Sequence, residues 1–279
     1  MKTIELTDLN IPELAPYARL TEAQLRRAGA RGVFIAESEE VIEGALAAGY
    51  PLISMLTDHH HLPSAEKVLS ALPAADAERD IPVYTGEAEL LEALTGFRLS
   101  RGVLAAMERV PLPPVEAVID GARRIAVLEG VNDAANIGAI FRSAAGLGMD
   151  AVLIGENCCD PLNRRAARVS MGGVFRVPWT VLPTLDGDKN RIDIGLLQKN
   201  GFKTAAMALR KESVGIDDPR LLAEEKLALM LGSEGNGLHP QTIAESDYTV
   251  LIPMKNGVDS LNVGSAAAIA FYAAVSRKR

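Results

Sequence analysis

The chain has 279 residues, 48% of them hydrophobic, with a net charge of −7 and two adjacent cysteines, Cys158 and Cys159. This length can bury a sizeable core and points to two domains, since domains most often hold about 100–150 residues. The acidic balance excludes a chain that grips nucleic acid by overall charge, and neighbouring cysteines suit neither a disulfide framework nor a CxxC metal site, in keeping with a reducing cytoplasm.

The opening MKTIELTDLN lacks the apolar stretch of an exported leader, so a cytoplasmic protein is expected. Short apolar runs then alternate with helical patterns: GVFIA (32–36), SEEVIEGALAAG (38–49), LISML (52–56) and IPVY (81–84). Strands alternating with helices predict an α/β layer, here a small first domain over residues 1–110. Pro111, Pro113 and Pro114 fix φ and remove backbone donors, which predicts an extended linker over 111–121.

Beyond the linker, RIAVLEGV (124–131), AVLIG (151–155), KLALML (226–231) and YTVLIP (248–253) are nearly continuous in apolar residues. They read as buried parallel strands of a second domain, residues 122–279, with helices between them. Charge divides unevenly, −9 over residues 1–120 and +2 over 121–279, so contacts to an acidic polymer must come from local patches. Near the end, NVGSAAAIAFYAAV (262–275) is apolar but runs into Ser276 and three basic residues. That is short of the roughly 20 residues a membrane span needs.

Ligands of open α/β sheets bind beyond the carboxyl ends of the strands, so a site is expected at the turns after these strands. The first is LEGVNDAANIGAIFRSAAGLG, a strand end, a polar loop and a helix from about Ile137. Ile137, Ile140, Phe141, Ala144, Ala145 and Leu147 share the core arc; Arg142 lies off it, and Asn136 is placed as the N-cap. The second is LGSEGNGLHP, where glycines let the backbone pass close to a ligand, Glu234 is an acceptor or a solvated acid, and Pro240 opens the next helix. The third is IPMKNGVDSLNVGSAAAIAFYAAV, in which Ser260 and Asn262 precede a helix that is small at its start and bulky only from Ile269 onward. Its N-terminal end is suited to border a site.

Together, and in this order, N-x-G-x-x-x-R, G-S-E-G-x-G-L and I-P-M-x(5)-S-L-N-V resemble the SPOUT superfamily, specifically the SpoU (TrmH) branch of RNA 2'-O-ribose methyltransferases. The resemblance covers residue 122 to the end; residues 1–110 are similar, less specifically, to the small α/β substrate-binding domain of that branch. It implies a parallel sheet with a deep trefoil knot, a homodimer, and S-adenosylmethionine held by the second and third turns. By position, Leu231, Gly232, Gly235, Ile252, Met254 and Leu261 would line the cofactor pocket. Arg142 would be the catalytic arginine, with Asn136, Glu234, Ser260 and Asn262 completing the polar site. One position departs from the pattern: Gly264 stands where the branch usually has serine.

Methyl transfer from a sulfonium is an in-line displacement, so holding the ribose oxygen in place is the larger task. An arginine does not give up its proton in a protein, which points to Arg142 binding phosphate or developing alkoxide charge. The substrate expected is RNA, ribosomal more than transfer, with phosphate contacts from Arg164, Arg165, Arg168 and Arg176 or, alternatively, a plain solvated basic face there. Two alternatives are a non-catalytic RNA-binding protein on the same scaffold and a dinucleotide-binding oxidoreductase. For the latter, GLGMDA (146–151) has the glycine spacing but leads from a helix into a strand, the reverse of the required order. His59, His60 and His61 lack ligand spacing, so no metal is expected.

Overall fold

A computed structural model describes residues 2–18, 20–72, 79–99, 102–185, 187–188 and 190–276; the basic residues 277–279 of the sequence reading lie outside them. The chain forms two compact units, Met1–Pro111 with Leu162–Phe175, and Leu112–Pro161 with Arg176–Arg279. Among the described residues no helix is long and apolar enough to cross a membrane.

In the first unit β1 (Lys2–Glu5), β2 (Val33–Glu37), β3 (Leu52–Asp58), β4 (Pro82–Gly86) and β5 (Val103–Glu108) form one sheet in the order β1-β4-β3-β5-β2. β1, β4 and β3 run parallel, and β5 lies antiparallel to both β3 and β2. Leu56, Tyr84, Leu91 and Leu104 pack the core of one face. The segment 162–175 joins this unit instead of the second domain to which the sequence reading gave it. Phe175 seats its ring 5.4 Å from Tyr50 and 6.0 Å from Phe34, and the Arg164–Val169 helix turns its arginines toward β2.

The second unit is a seven-stranded parallel sheet made of β6 (Arg124–Glu129), β7 (Ala151–Ile154), β8 (Trp179–Val181), β9 (Lys203–Met207), β10 (Val214–Gly215), β11 (Leu227–Gly232) and β12 (Tyr248–Leu251). Its order is β10-β12-β9-β11-β6-β7-β8. Every residue of β6 and β7 is buried, as expected when helices cover both faces of a parallel sheet. β6, β7 and β8 step outward in one direction, and the chain then returns to build the other side from β9 onward. The carboxyl ends of β6 and β11 therefore meet where the order reverses, the place at which such sheets bind ligands.

Two differences from the sequence reading concern the helices of this unit. The proline-rich joint is not an extended linker throughout: Val115–Ile119 is a helix, with Pro114 at its cap and Val115, Val118 and Ile119 buried in the core of the second unit. Proline is tolerated at a helix start, and the i, i+3, i+4 spacing of the three apolar residues buries one face. The Ala134–Leu147 helix starts one turn earlier than predicted. Asp133 is its N-cap, accepting the Asn136 N–H at 2.9 Å, so Asn136 sits inside the first turn. Ile137, Ile140, Phe141 and Ala144 are fully buried, and Gly148 closes the helix at φ 82° before β7 begins.

Buried Arg124 pins the amino-terminal end of β6. Its guanidinium donates to the carbonyls of Glu224, Glu225 and Ala274 at 2.8, 2.9 and 3.0 Å. Carbonyls near helix C-terminal ends are good acceptors for a cation, and the Asp150 and Glu224 carboxylates favour the charge as well. This leaves the opposite, carboxyl edge of the sheet to carry the chemistry.

Candidate active site

The C-terminal helix Val263–Ser276 begins at Asn262, whose Oδ1 accepts the Gly264 N–H at 3.0 Å and the Ser265 N–H at 3.3 Å. The same side chain donates both of its amide hydrogens: Nδ2 to Asn136 Oδ1 at 2.9 Å, and Nδ2 to the Glu234 carboxylate. One residue thus caps a helix and ties together the turns that follow β6, β11 and β12. Asn136 is only 8% exposed, and a buried amide without a partner would cost about 1–3 kcal/mol. The three turns singled out in the sequence therefore converge.

Helix packing explains the glycine at position 264. A Cβ built there would lie 3.0 Å from Ala139 Cβ and 3.1 Å from Asn262 Oδ1. Small residues let the Val263–Ser276 and Ala134–Leu147 helices approach closely, and a side chain at 264 would press on the Asn262 carbonyl that caps the helix.

Beside this junction lies a cavity of about 960 Å³ at the carboxyl ends of β9, β11 and β12. Leu231, Gly232, Ile252, Met254 and Leu261 line it, as do Glu234, Ser260 and Asn262. Gly235 lies on the same loop but is not part of the lining. Gly232 has no room for a side chain, since a Cβ would lie 2.2 Å from Gly237 C and 2.3 Å from Leu238 N. The loop doubles back on the strand end: Ser233 and Gly237 exchange backbone hydrogen bonds of 3.2 and 3.0 Å, with Gly237 at φ 68°.

Glu129, at the end of β6, holds that loop from beneath. Its buried carboxylate accepts the His239 backbone N–H and, at 2.7 Å, the Thr242 hydroxyl. Burial pushes the Glu129 carboxyl up from the usual range, against the opposing pull of these two donors. A raised folded value contributes stability that is present below the ordinary carboxylate range and lost as pH rises through the raised value. Glu129→Gln should therefore flatten this limb, giving urea midpoints equal to wild type at low pH and higher than wild type above it. Glu129→Ala should cost about 1–3 kcal/mol by orphaning both donors. Parallel pH slopes for wild type and Glu129→Gln would contradict the assignment. The sequence reading passed over Glu129 because its partners lie more than a hundred residues away.

Arg142 is exposed on the Ala134–Leu147 helix, six residues beyond Asn136. Among the described residues its guanidinium has no hydrogen bond or ion pair. The four arginines expected to contact phosphate do not all belong to one unit. Arg164 and Arg168 lie in the first unit, with Nη1 atoms 3.7 and 3.1 Å from the buried Glu37 carboxylate. Arg164 also stacks 3.8 Å over the Phe97 ring, and burial lowers its pKa. Their first task is to neutralise Glu37. Arg165 is exposed in that unit, and Arg176 belongs to the second. His59 contacts Glu5 at 3.0 Å and Glu87 at 3.3 Å, and His61 contacts Asp58 at 2.7 Å, so these two rings serve carboxylate contacts within the first unit.

Residues 123–272 match the model of the SpoU rRNA Methylase family. An uncharacterised tRNA/rRNA methyltransferase of Mycobacterium tuberculosis is 40% identical over 246 residues, 87% of this chain and 80% of that protein. The 23S rRNA (guanosine(2553)-2'-O)-methyltransferase RlmP of Bacillus subtilis is 27% identical, over 86% of this chain and 87% of its own. Among solved structures, an AdoMet-bound rRNA methyltransferase from Sinorhizobium meliloti superposes with a TM-score of 0.80 at 21% identity, covering 99% of both chains. With its three motif turns tied together through Asn262, and with the family model spanning more than half of its length, this chain belongs to the SpoU rRNA methylase family.

Proposed function

We propose that this protein transfers the methyl group of S-adenosylmethionine to a ribose 2'-hydroxyl in structured RNA, with ribosomal RNA as the substrate class. The observation that carries the reading is Asn262, which joins Asn136 and Glu234 at the mouth of a cavity large enough for the donor. Small-molecule sites run to about 300–1,000 Å³ and are mostly apolar with a few placed polar groups, and this cavity combines Leu231, Ile252, Met254 and Leu261 with the polar groups of Ser260 and Glu234. When bound, the donor supplies an activated methyl group. Leu231, Gly232, Ile252, Met254 and Leu261 would hold it. Names of relatives that include ribosomal RNA 2'-O-methyltransferases support the same substrate.

The protein's own residues then have three tasks. The loops after β11 and β12 exclude water from the donor, Asn262 keeps Glu234 and Asn136 in register, and Arg142 meets the negative charge of RNA. A guanidinium is permanently charged, so Arg142 acts by binding a phosphate or stabilising the oxygen as its proton passes to water. Arg165 and Arg176 add phosphate contacts that position RNA without reading its sequence. The trefoil knot belongs to this proposal too, as does the division of labour between a first unit that selects RNA and a second that carries the chemistry.

Mapping ribose methylation in RNA from cells with and without the gene tests this reading. Loss of one ribosomal 2'-O-methyl group is expected; an unchanged ribose pattern, or loss of a base methyl group, would overturn it.

The working form in this proposal is a homodimer built on the C-terminal helix. Ile269 and Tyr272, three residues apart on one face, are 40% and 63% exposed, and exposed apolar groups gathered on one helix face mark an interaction surface. Tyr272→Glu should convert the dimer to monomer in sedimentation velocity. A wild-type monomer, or a dimer that survives the substitution, would refute this arrangement.

A further inference from the structure

The cavity has a charge pattern that its apolar lining does not require. Glu234 and Asp259 are the acids lining it among the described residues, and Arg210 is the one cation. S-adenosylmethionine is the inverse, with two cationic centres, sulfonium and α-ammonium, and one anionic centre, the α-carboxylate. We propose that Arg210 is the specificity-determining anchor for the carboxylate of the donor's amino-acid end. This rests on the reading of the cavity as a donor site given above.

Local structure holds Arg210 ready for that contact. It lies in the turn leaving β9, where the Ser213 hydroxyl donates to the Ala208 carbonyl at 2.8 Å and accepts the Arg210 N–H at 3.0 Å. The side chain spends one donor, from Nη1 to the neighbouring Leu209 carbonyl at 3.2 Å. A guanidinium has five N–H donors in a fork matched to carboxylate geometry, and among the described residues Arg210 has no carboxylate within ion-pair distance. Its position also sets direction. Arg210 lines both this cavity and a smaller one of about 420 Å³ beside Tyr248 and Asp247, so it stands on the wall between them. The amino-acid half of the donor then points to the β9 side, away from the Asn136–Asn262 junction where the ribose is received.

Isothermal titration calorimetry of the full-length protein with S-adenosylmethionine, S-adenosylhomocysteine and 5'-methylthioadenosine tests the assignment, because the last ligand lacks the amino-acid end. Arg210→Ala should weaken the first two by roughly tenfold, the scale of a charged hydrogen bond at an exposed rim, and leave 5'-methylthioadenosine unchanged. Arg210→Lys should restore part of the loss, and the difference should shrink as salt rises. The melting temperature should not move, since Arg210 is exposed. Equal S-adenosylmethionine affinity in wild type and Arg210→Ala overturns the proposal, as does an equal loss for all three ligands. Absence of binding by the folded wild type to every one of them overturns the donor-site reading itself.

Discussion

Arg142→Ala should lower the turnover number by about 10²- to 10³-fold, the scale seen when one preorganised charge-stabilising group is removed. Affinity for S-adenosylmethionine should stay the same, because Arg142 is not among the residues lining the cavity proposed to hold it. Stability should change by less than about 0.5 kcal/mol, as is usual for a surface substitution. The helix that carries Arg142 is fixed independently of it, by Asp133 at the cap and by Ile137, Ile140, Phe141 and Ala144 in the core. Lysine at 142 should recover only a part of the activity, since it keeps the charge and loses the fork that meets two oxygens at once. Single-turnover kinetics with saturating donor, alongside calorimetry, separates the effects. Near-normal turnover in Arg142→Ala would remove this residue from the chemistry.

Gly232→Ala should have the largest effect on the cavity. The added methyl would meet Gly237 C at 2.2 Å and Leu238 N at 2.3 Å. Both are backbone atoms, so no side chain can swing away; the whole loop must lift. Overpacking of this kind costs about 1–3 kcal/mol, and the displaced loop includes Glu234 and the segment held by Glu129. Donor affinity should fall by at least about tenfold, which corresponds to 1.4 kcal/mol. Gly235→Ala is the matched control, because a Cβ there meets nothing within 4 Å. Donor titrations and thermal melts of the two variants should separate them clearly, and native donor affinity in Gly232→Ala would show that the loop does not shape the site.

The same contrast shows what the sequence could reveal. Both glycines sit in one GSEGNG turn and read alike as letters, and only the returning backbone distinguishes the one that must be glycine. Long apolar strands such as β6, β11 and β12 were legible from their composition. β9 (KTAAM) and β8 (WTV) were not, being short or rich in alanine, and their places in the sheet come from pairing with β11 and β7. Asp133 and Asn136 are both good caps by type. The helix starts at the earlier one because Ala134 and Ala135 readily extend it. The prolines before Val115 read as an extended joint, whereas the apolar spacing just beyond them was the signal for a short buried helix.

The convergence of Asn136, Glu234 and Asn262 was legible only through the resemblance, since no spacing law links positions 126 and 28 residues apart. The structure brings them together by capping one helix with the residue that bridges two others. Arg210 and Glu129 were missed for a related reason: each looks like an ordinary strand-end residue until the sheet order places it beside its partners. For Arg164 and Arg168 the i, i+4 spacing suggested phosphate contacts and gave no sign of the buried Glu37 carboxylate on β2 that lies 3.7 and 3.1 Å from them.

The most direct test of the account is to incubate the full-length protein with methyl-labelled S-adenosylmethionine and ribosomal RNA, and then to hydrolyse the RNA completely with alkali. A methylated 2'-oxygen cannot attack the adjacent phosphate, so the label is expected to survive in an alkali-resistant dinucleotide. Label recovered in mononucleotides, which marks a methylated base, would contradict it.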